Sequence, residues 1–170
     1  LLLLTSEPPV SCLLPITSPL NVEGVMNAVL AEGDAVDRVV LEGPGAGAGP
    51  TASSVVADIM DIARGNYTRP FSIPANKLEP LVEADYAALT GQYFLRCEVT
   101  DIETARTQIT AVLDEQGITV ASCLERTDAA PQIAITTQET QNTDIEAACA
   151  AIATLDGITR PPQCIAMEQI

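Results

Sequence analysis

Three groups of residues have the types and spacing to do chemistry. The first is Gly43-Pro44-Gly45-Ala46-Gly47-Ala48-Gly49-Pro50-Thr51, in which Gly43, Gly45 and Ala48 fit the pattern G-x-G-x-x-G/A. A loop of this kind at a helix N-terminus lets the backbone approach a phosphate closely. Pro44 and Pro50 remove N–H donors, however, and no second strand ending in Asp or Glu follows at the usual spacing. The loop therefore reads as a tight turn packing backbone on backbone rather than a self-contained dinucleotide site. The second group is acidic: Asp58 and Asp61 stand three apart, and Glu32 and Asp34 flank a turn. Carboxylate pairs suit general acid–base work, but no cationic or metal partner is evident, so both read as solvated surface. The third group is Arg96, Arg106 and Arg126, which have the chemistry for carboxylate recognition. They and Lys77, the only Lys, read as isolated surface cations.

Other chemistry is excluded by composition. The sequence has no His, so a Ser-His-Asp triad, a Cys-His nucleophile and a His-bound metal are ruled out. The five Cys (Cys12, Cys97, Cys123, Cys149 and Cys164) include no C-x-x-C pair and read as small core hydrophobes in a reducing compartment. No metal site is expected. The net charge of −15 argues against a nucleic-acid surface and against an anionic membrane surface. No apolar run nears the ~20 residues of a membrane span. Leu1 to Leu4 make a poor signal peptide and read as a strand of a chain already under way.

The 170 residues are 47% hydrophobic and 18% charged, enough for one domain or two small ones. With 2 Phe, 3 Tyr and no Trp, the core must be aliphatic. Pro8, Pro9, Pro15 and Pro19 predict an irregular, extended stretch over residues 5–20. Val25 to Leu30 and Val36 to Glu42 read as two strands of a hairpin about Glu32-Gly33-Asp34. Thr51 or Ser53 is the expected N-cap of a helix with Val55, Val56, Ile59, Ile62 and Ala63 on one face, ended by Gly65. Two strands and a helix make a poor independent core. Residues 66–90 read as a linker, with a turn of helix near Tyr86.

From Gln92 the pattern is regular. Tyr93, Leu95, Cys97 and Val99 alternate as a half-buried strand. Ala105, Ile109, Val112 and Leu113 mark a helix stopped by Gly117. Ile118, Val120, Ser122 and Leu124 alternate again, and Ile133 and Ile135 form a third strand. Asp144 to Leu155 reads as a helix with Ile145, Ala148, Cys149, Ile152 and Leu155 on one face, and Cys164 to Met167 as a fourth strand. The order is βαββαβ, with both helices on one face of an antiparallel sheet.

Asn21-Val22-Glu23-Gly24-Val25-Met26-Asn27-Ala28-Val29, Glu32-Gly33-Asp34, Gly43 to Gly49, and Pro50-Thr51-Ala52-Ser53-Ser54-Val55-Val56-Ala57-Asp58 follow one another in an order and spacing that resembles the C-terminal part of the catalytic region of homoserine dehydrogenase. Residues 91–170 resemble the ACT domain that many bacterial members append. The resemblance implies an α+β chain in three parts: a partial mixed α/β segment of the catalytic domain over 1–65, a linker over 66–90, and a ferredoxin-like ACT domain over 91–170. It implies a cytoplasmic, homo-oligomeric oxidoreductase of threonine, methionine and isoleucine biosynthesis that interconverts aspartate semialdehyde and homoserine with NAD(P).

The family's nucleotide-binding domain and catalytic lysines have no counterpart in this sequence, so no catalytic residue is expected here and the chain by itself is expected to be inactive. Gly47, with Gly45 beside it, matches the loop that returns beside the cofactor, a supporting contact that matters only with the N-terminal domain. In the ACT half the family's Asp-x-Pro-Gly is Asp101-Ile102-Glu103-Thr104. Asp101 matches. Thr104 is an expected helix cap, but Glu103 adds charge and Thr104 adds bulk where an effector such as threonine would sit, unless Arg106 compensates. Dimerisation needs neither Pro nor Gly. A competing reading is a non-catalytic ACT module for regulation or assembly with a vestigial N-terminal segment, and a third is a diverged gene product without activity.

Overall fold

A computed structural model describes residues 12–67, 74–78, 86–127 and 130–168. These fall into two compact units, one containing residues 16–67 and 74–78, the other residues 12–15 and 86–168. Leu1 to Leu4, Pro8, Pro9, Pro70 and Pro80 lie outside the described residues.

The first unit holds the expected hairpin and helix. Strands β2 (Met26–Gly33) and β3 (Asp37–Pro44) pair antiparallel, with Gly33 opposite Asp37 and Met26 opposite Pro44. Asp37 carries the turn at φ 64°, a left-handed conformation that Asp tolerates better than most side chains. Glu32 meets Arg38 across the hairpin end, at 2.8 Å from Nε. Glu32 thus has the cationic partner that its position in the sequence did not reveal. Helix α1 (Ala48–Arg64) ends at Gly65, whose φ of 76° is the left-handed cap expected there. Its start differs from expectation. The N-cap is Gly47, with no side-chain cap, so Thr51 and Ser53 are inside the helix. Pro50 sits in the first turn, where a missing N–H costs nothing, and this lets the helix begin before the hydroxyl residues. No residue of α1 is buried: Val55, Val56, Ile59 and Ile62 are each more than half exposed. A short 3₁₀ turn at Ala75–Lys77 follows; another at Tyr86–Ala88, at the expected place, belongs to the second unit.

The second unit contains every described residue of the buried apolar core, from Tyr93 to Ile152. Its strands are β1 (Cys12–Leu13), β4 (Thr90–Glu98), β5 (Val120–Arg126), β6 (Gln132–Thr137), β7 (Thr140–Gln141) and β8 (Gln163–Met167). The sheet order is β1-β8-β4-β6-β5, and β7 adds a short pairing to the start of β4. The helices are α2 (Ile102–Glu115) and α3 (Asn142–Ile152). The expected βαββαβ unit is therefore present, with strands one and three at the centre. The alternation the sequence predicts runs along β4 and one residue past its end: Tyr93, Leu95, Cys97 and Val99 are buried in one core with Ala105, Ile109 and Leu113 of α2 and Ile145, Ala148 and Ile152 of α3. Each fully buried Leu or Ile contributes about 1.5–3 kcal/mol.

Three expectations are corrected here. Residues 5–20 are not wholly irregular, because Cys12 and Leu13 pair parallel with Ala166 and Met167 and extend the sheet. Two residues between prolines leave no periodicity to read. Ser122 and Leu124 do not continue the face of Ile118 and Val120. A bulge between Val120 and Ser122 shifts the register, so Cys123 opposes Ile135 while Leu124 opposes Ala134 and is 71% exposed. Finally, of the five free Cys only Cys97 is fully buried; Cys12, Cys123 and Cys164 are exposed and Cys149 is half-buried. No described helix is long and apolar enough to cross a membrane.

Candidate functional site

The glycine loop links β3 to α1, and its two singled-out glycines are needed for different reasons. Gly47 has φ 119° and ψ 151°, a region essentially closed to residues with a Cβ. This lets the chain swing from the strand into the first turn of α1, where the Thr51 N–H reaches the Gly47 carbonyl at 3.2 Å. Gly45 donates its N–H to Val25 O at 2.7 Å, and a Cβ there would collide with the Asn27 side-chain amide. Gly45 is thus used internally, whereas Gly47 exposes the uncapped N-terminus of a 17-residue helix. The loop fits one part of a nucleotide: an uncapped helix start favours a phosphate. With Pro44 and Pro50 lacking N–H groups, it does not amount to a complete dinucleotide cradle.

Asp58 and Asp61 lie exposed on α1; an Asp61 carboxylate oxygen accepts from the Asn66 side-chain amide at 3.3 Å. Lys77 is exposed, as read from the sequence. Among the described residues, no group of three or more acidic or Cys side chains is arranged to hold a metal ion.

In the second unit, Asp101, Glu103 and Thr104 stand where β4 turns into α2. Asp101 is the N-cap and its Oδ2 accepts the Thr104 N–H at 2.8 Å. Hydrogen bonds from Thr104 hold the Asp101 carboxyl below its usual range. The expected cap, Thr104, is therefore the capped residue rather than the capping one. An extended Asp ahead of the first turn places its carboxylate on that N–H better than a hydroxyl three residues on. Glu103 is exposed in the first turn and its carbonyl accepts from the Thr107 hydroxyl at 3.0 Å. Arg106 does not compensate Glu103: it pairs with Glu125 of β5 at 3.3 Å. The corner is closed from the other side by the turn before β8. Thr100 N–H donates to Gly157 O at 2.8 Å, and a Cβ on Gly157 would press on the Thr100 hydroxyl at 2.9 Å.

A cavity of about 370 Å³ lies at the opposite end of β4, between α3, the start of β4 and the end of β8. Sequence reasoning did not find it, because its walls come from four separated segments. Asn142 is buried there, accepting from the Tyr93 hydroxyl at 3.2 Å and donating to Glu146 at 3.0 Å. Cys12, Cys149 and Cys164 open onto the same space. Cys164 opposes Leu95 across the ladder and so shares the helix-covered face with Cys97. Burial and the neighbouring Cys149 push Cys97 up to about 11.

The homoserine dehydrogenase family profile matches residues 10–60. Homoserine dehydrogenase of Pseudomonas aeruginosa is 34% identical over 160 residues, covering 88% of this chain and 37% of the relative. That of Neisseria gonorrhoeae is 34% identical over 164 residues, with the same 88% and 37% coverage. The crystal structure of a homoserine dehydrogenase from Thiobacillus denitrificans superposes with a TM-score of 0.76 at 30% identity, over 93% of this chain and 38% of that one. The chain thus spans a little over a third of the length of these relatives.

Proposed function

We propose, from the chain's membership of the homoserine dehydrogenase family, that it supplies the end of the catalytic and dimer domain over 1–65, a linker over 66–90, and an ACT domain over 91–170. The whole protein interconverts aspartate semialdehyde and homoserine in the cytoplasm as a homo-oligomer. The observation that carries this reading is the family match over 10–60 together with the 34% identity along most of the chain. The uncovered face of α1 supports it, because Val55, Val56, Ile59 and Ile62 form an apolar surface that needs a partner domain.

NAD(P), when bound, carries the hydride. In this reading the chain holds none of the acid–base groups. Its part is positional: Gly47 brings bare backbone and the α1 N-terminus beside the dinucleotide, and Gly45 holds the loop closed on Val25 and Asn27. The ACT domain acts in assembly more than in threonine sensing, since Asp101 is engaged by Thr104 and the glycine that would admit a ligand is replaced.

The test is a chimera in which this chain replaces the corresponding part of the Pseudomonas aeruginosa relative. The 170-residue chain alone gives no homoserine-dependent NAD(P)H formation, the chimera does, and Gly47→Val lowers the chimera's turnover at least tenfold. Turnover by the chain alone, or a folded and monodisperse chimera without activity, overturns the reading.

A further inference from the structure

We propose that the cavity between α3, the start of β4 and the end of β8 binds a small organic monocation with an aliphatic tail, a short primary alkylamine. The ammonium group sits at a rim of carboxylates and the tail lies on an apolar floor. The cavity's volume of about 370 Å³ falls at the lower end of the range for small-molecule sites. All of its walls belong to the second unit, so the site does not depend on the hydride chemistry of the whole protein. Tyr93 and Ile145, both buried, and Ala166 supply the floor, and Leu89 and Met167 add further apolar surface.

The rim is built by hydrogen bonds. The buried Asn142 side chain accepts from the Tyr93 hydroxyl at 3.2 Å and donates to a Glu146 carboxylate oxygen at 3.0 Å, which holds the exposed Glu146 on the cavity side of α3. Glu168 is fixed by its own N–H, which donates to Leu13 O at 2.9 Å. A shallower recess of about 270 Å³ shares Gly91, Gln92, Met167 and Glu168 with the cavity and adds Glu139. The Glu139 carboxylate accepts from the Thr90 hydroxyl at 2.9 Å. Glu139, Glu146 and Glu168 therefore border two adjoining spaces, and no Lys or Arg is among the described residues lining either one. Burial and the charge of Glu168 push the Cys12 thiol up, so that wall stays neutral.

This arrangement selects by charge and by shape. A one-signed acidic rim attracts a cation and repels a carboxylate. A free amino acid would bring its own carboxylate into that field, and the cavity lies at the other end of β4 from the Asp101 corner. A hard metal ion needs a converging set of oxygen ligands, and no three acidic or Cys side chains converge in this way among the described residues. An alkylammonium group needs only acceptors for its three N–H donors, and its chain gains from leaving water.

The experiment titrates the 170-residue chain with n-pentylamine near neutral pH, where the amine is protonated, by calorimetry and by amide chemical shifts. Saturable binding is expected, with shifts at Tyr93, Ile145 and Ala166. Ethylamine, with less tail to bury, and pentanoate, with the opposite charge, should each bind at least tenfold more weakly. Affinity should fall as ionic strength rises. Glu146→Gln, Glu168→Gln leaves Asn142 an acceptor and is expected to weaken pentylamine at least tenfold with the melting temperature retained. Ala166→Leu, which fills the floor, should abolish binding with native circular dichroism retained. The proposal is overturned if the wild-type chain shows no saturable binding, if pentanoate binds as tightly as pentylamine, or if the shifts fall on α1 instead. Unchanged affinity in the Glu146→Gln, Glu168→Gln protein equally overturns it.

Discussion

Asp101 and Thr104 are joined by a 2.8 Å hydrogen bond from the Thr104 N–H to the Asp101 carboxylate, at the junction where β4 becomes α2. The bond satisfies one of the four N–H groups that a helix start leaves without partners. Asp101→Ala is expected to lower the melting temperature of the chain by roughly 5 °C at neutral pH. Because the folded state holds this carboxyl below its ordinary value, its contribution is complete above the unfolded value of about 4 and is lost as pH falls through the lower folded value. Thermal melts of wild type and Asp101→Ala should therefore differ most near pH 7 and converge below about pH 4. A gap that stays constant down to pH 2 would contradict this account.

Residues 86–170 are expected to fold without the first unit. The whole described apolar core runs from Tyr93 to Ile152, and both helices cover it from one side. A protein of residues 86–170 should melt cooperatively, and Leu95→Ala within it should cost about 3 kcal/mol, since Leu95 has no exposed surface. Urea titration measures both.

Threonine is expected to bind that protein weakly or not at all. The N-cap carboxylate is engaged and Glu103 presents a charge in the first turn, with Arg106 held by Glu125. Calorimetric titration with threonine should show no saturable heat, while Glu103→Pro, Thr104→Gly is expected to gain binding. Micromolar binding by the unaltered protein would refute the assembly role.

The apolar surface of α1 predicts association. Val55, Val56, Ile59, Met60 and Ile62 are 44–59% exposed on one helix. Sedimentation of the 170-residue chain is expected to show oligomers and binding of a hydrophobic dye. Val56→Ser, Ile59→Ser should reduce both while shifting stability by less than about 0.5 kcal/mol, because neither side chain is buried. A dye-silent monomer before substitution is the result that counts against it.

Gly47 and Gly45 predict different failures on substitution. Gly47→Ala forces a Cβ into φ 119°, a strain of about 1–3 kcal/mol. Gly45→Ala keeps an ordinary backbone but must displace Asn27. Asn27→Ala is therefore expected to rescue Gly45→Ala in thermal melts and to leave Gly47→Ala unchanged.

Much of this protein is written in short-range pattern. The alternation of Tyr93, Leu95, Cys97 and Val99, the helical spacing of Ala105, Ile109 and Leu113, and the stops at Gly65 and Gly117 depend on the periods of strand and helix, and each is where the sequence places it. The glycine loop and its neighbours likewise carry the family resemblance in their order and spacing along the chain. Tertiary structure decided what has no local period. A single extra residue after Val120 turned Leu124 away from the core, and only pairing with β6 reveals it. Cys12 and Leu13 became a strand because β8 offered a free edge. Cys149 and Cys164, fifteen positions apart, line one cavity whose walls draw on segments from Cys12 to Glu168. Contacts between distant segments depend on how whole elements stack, and spacing along the chain does not encode that distance.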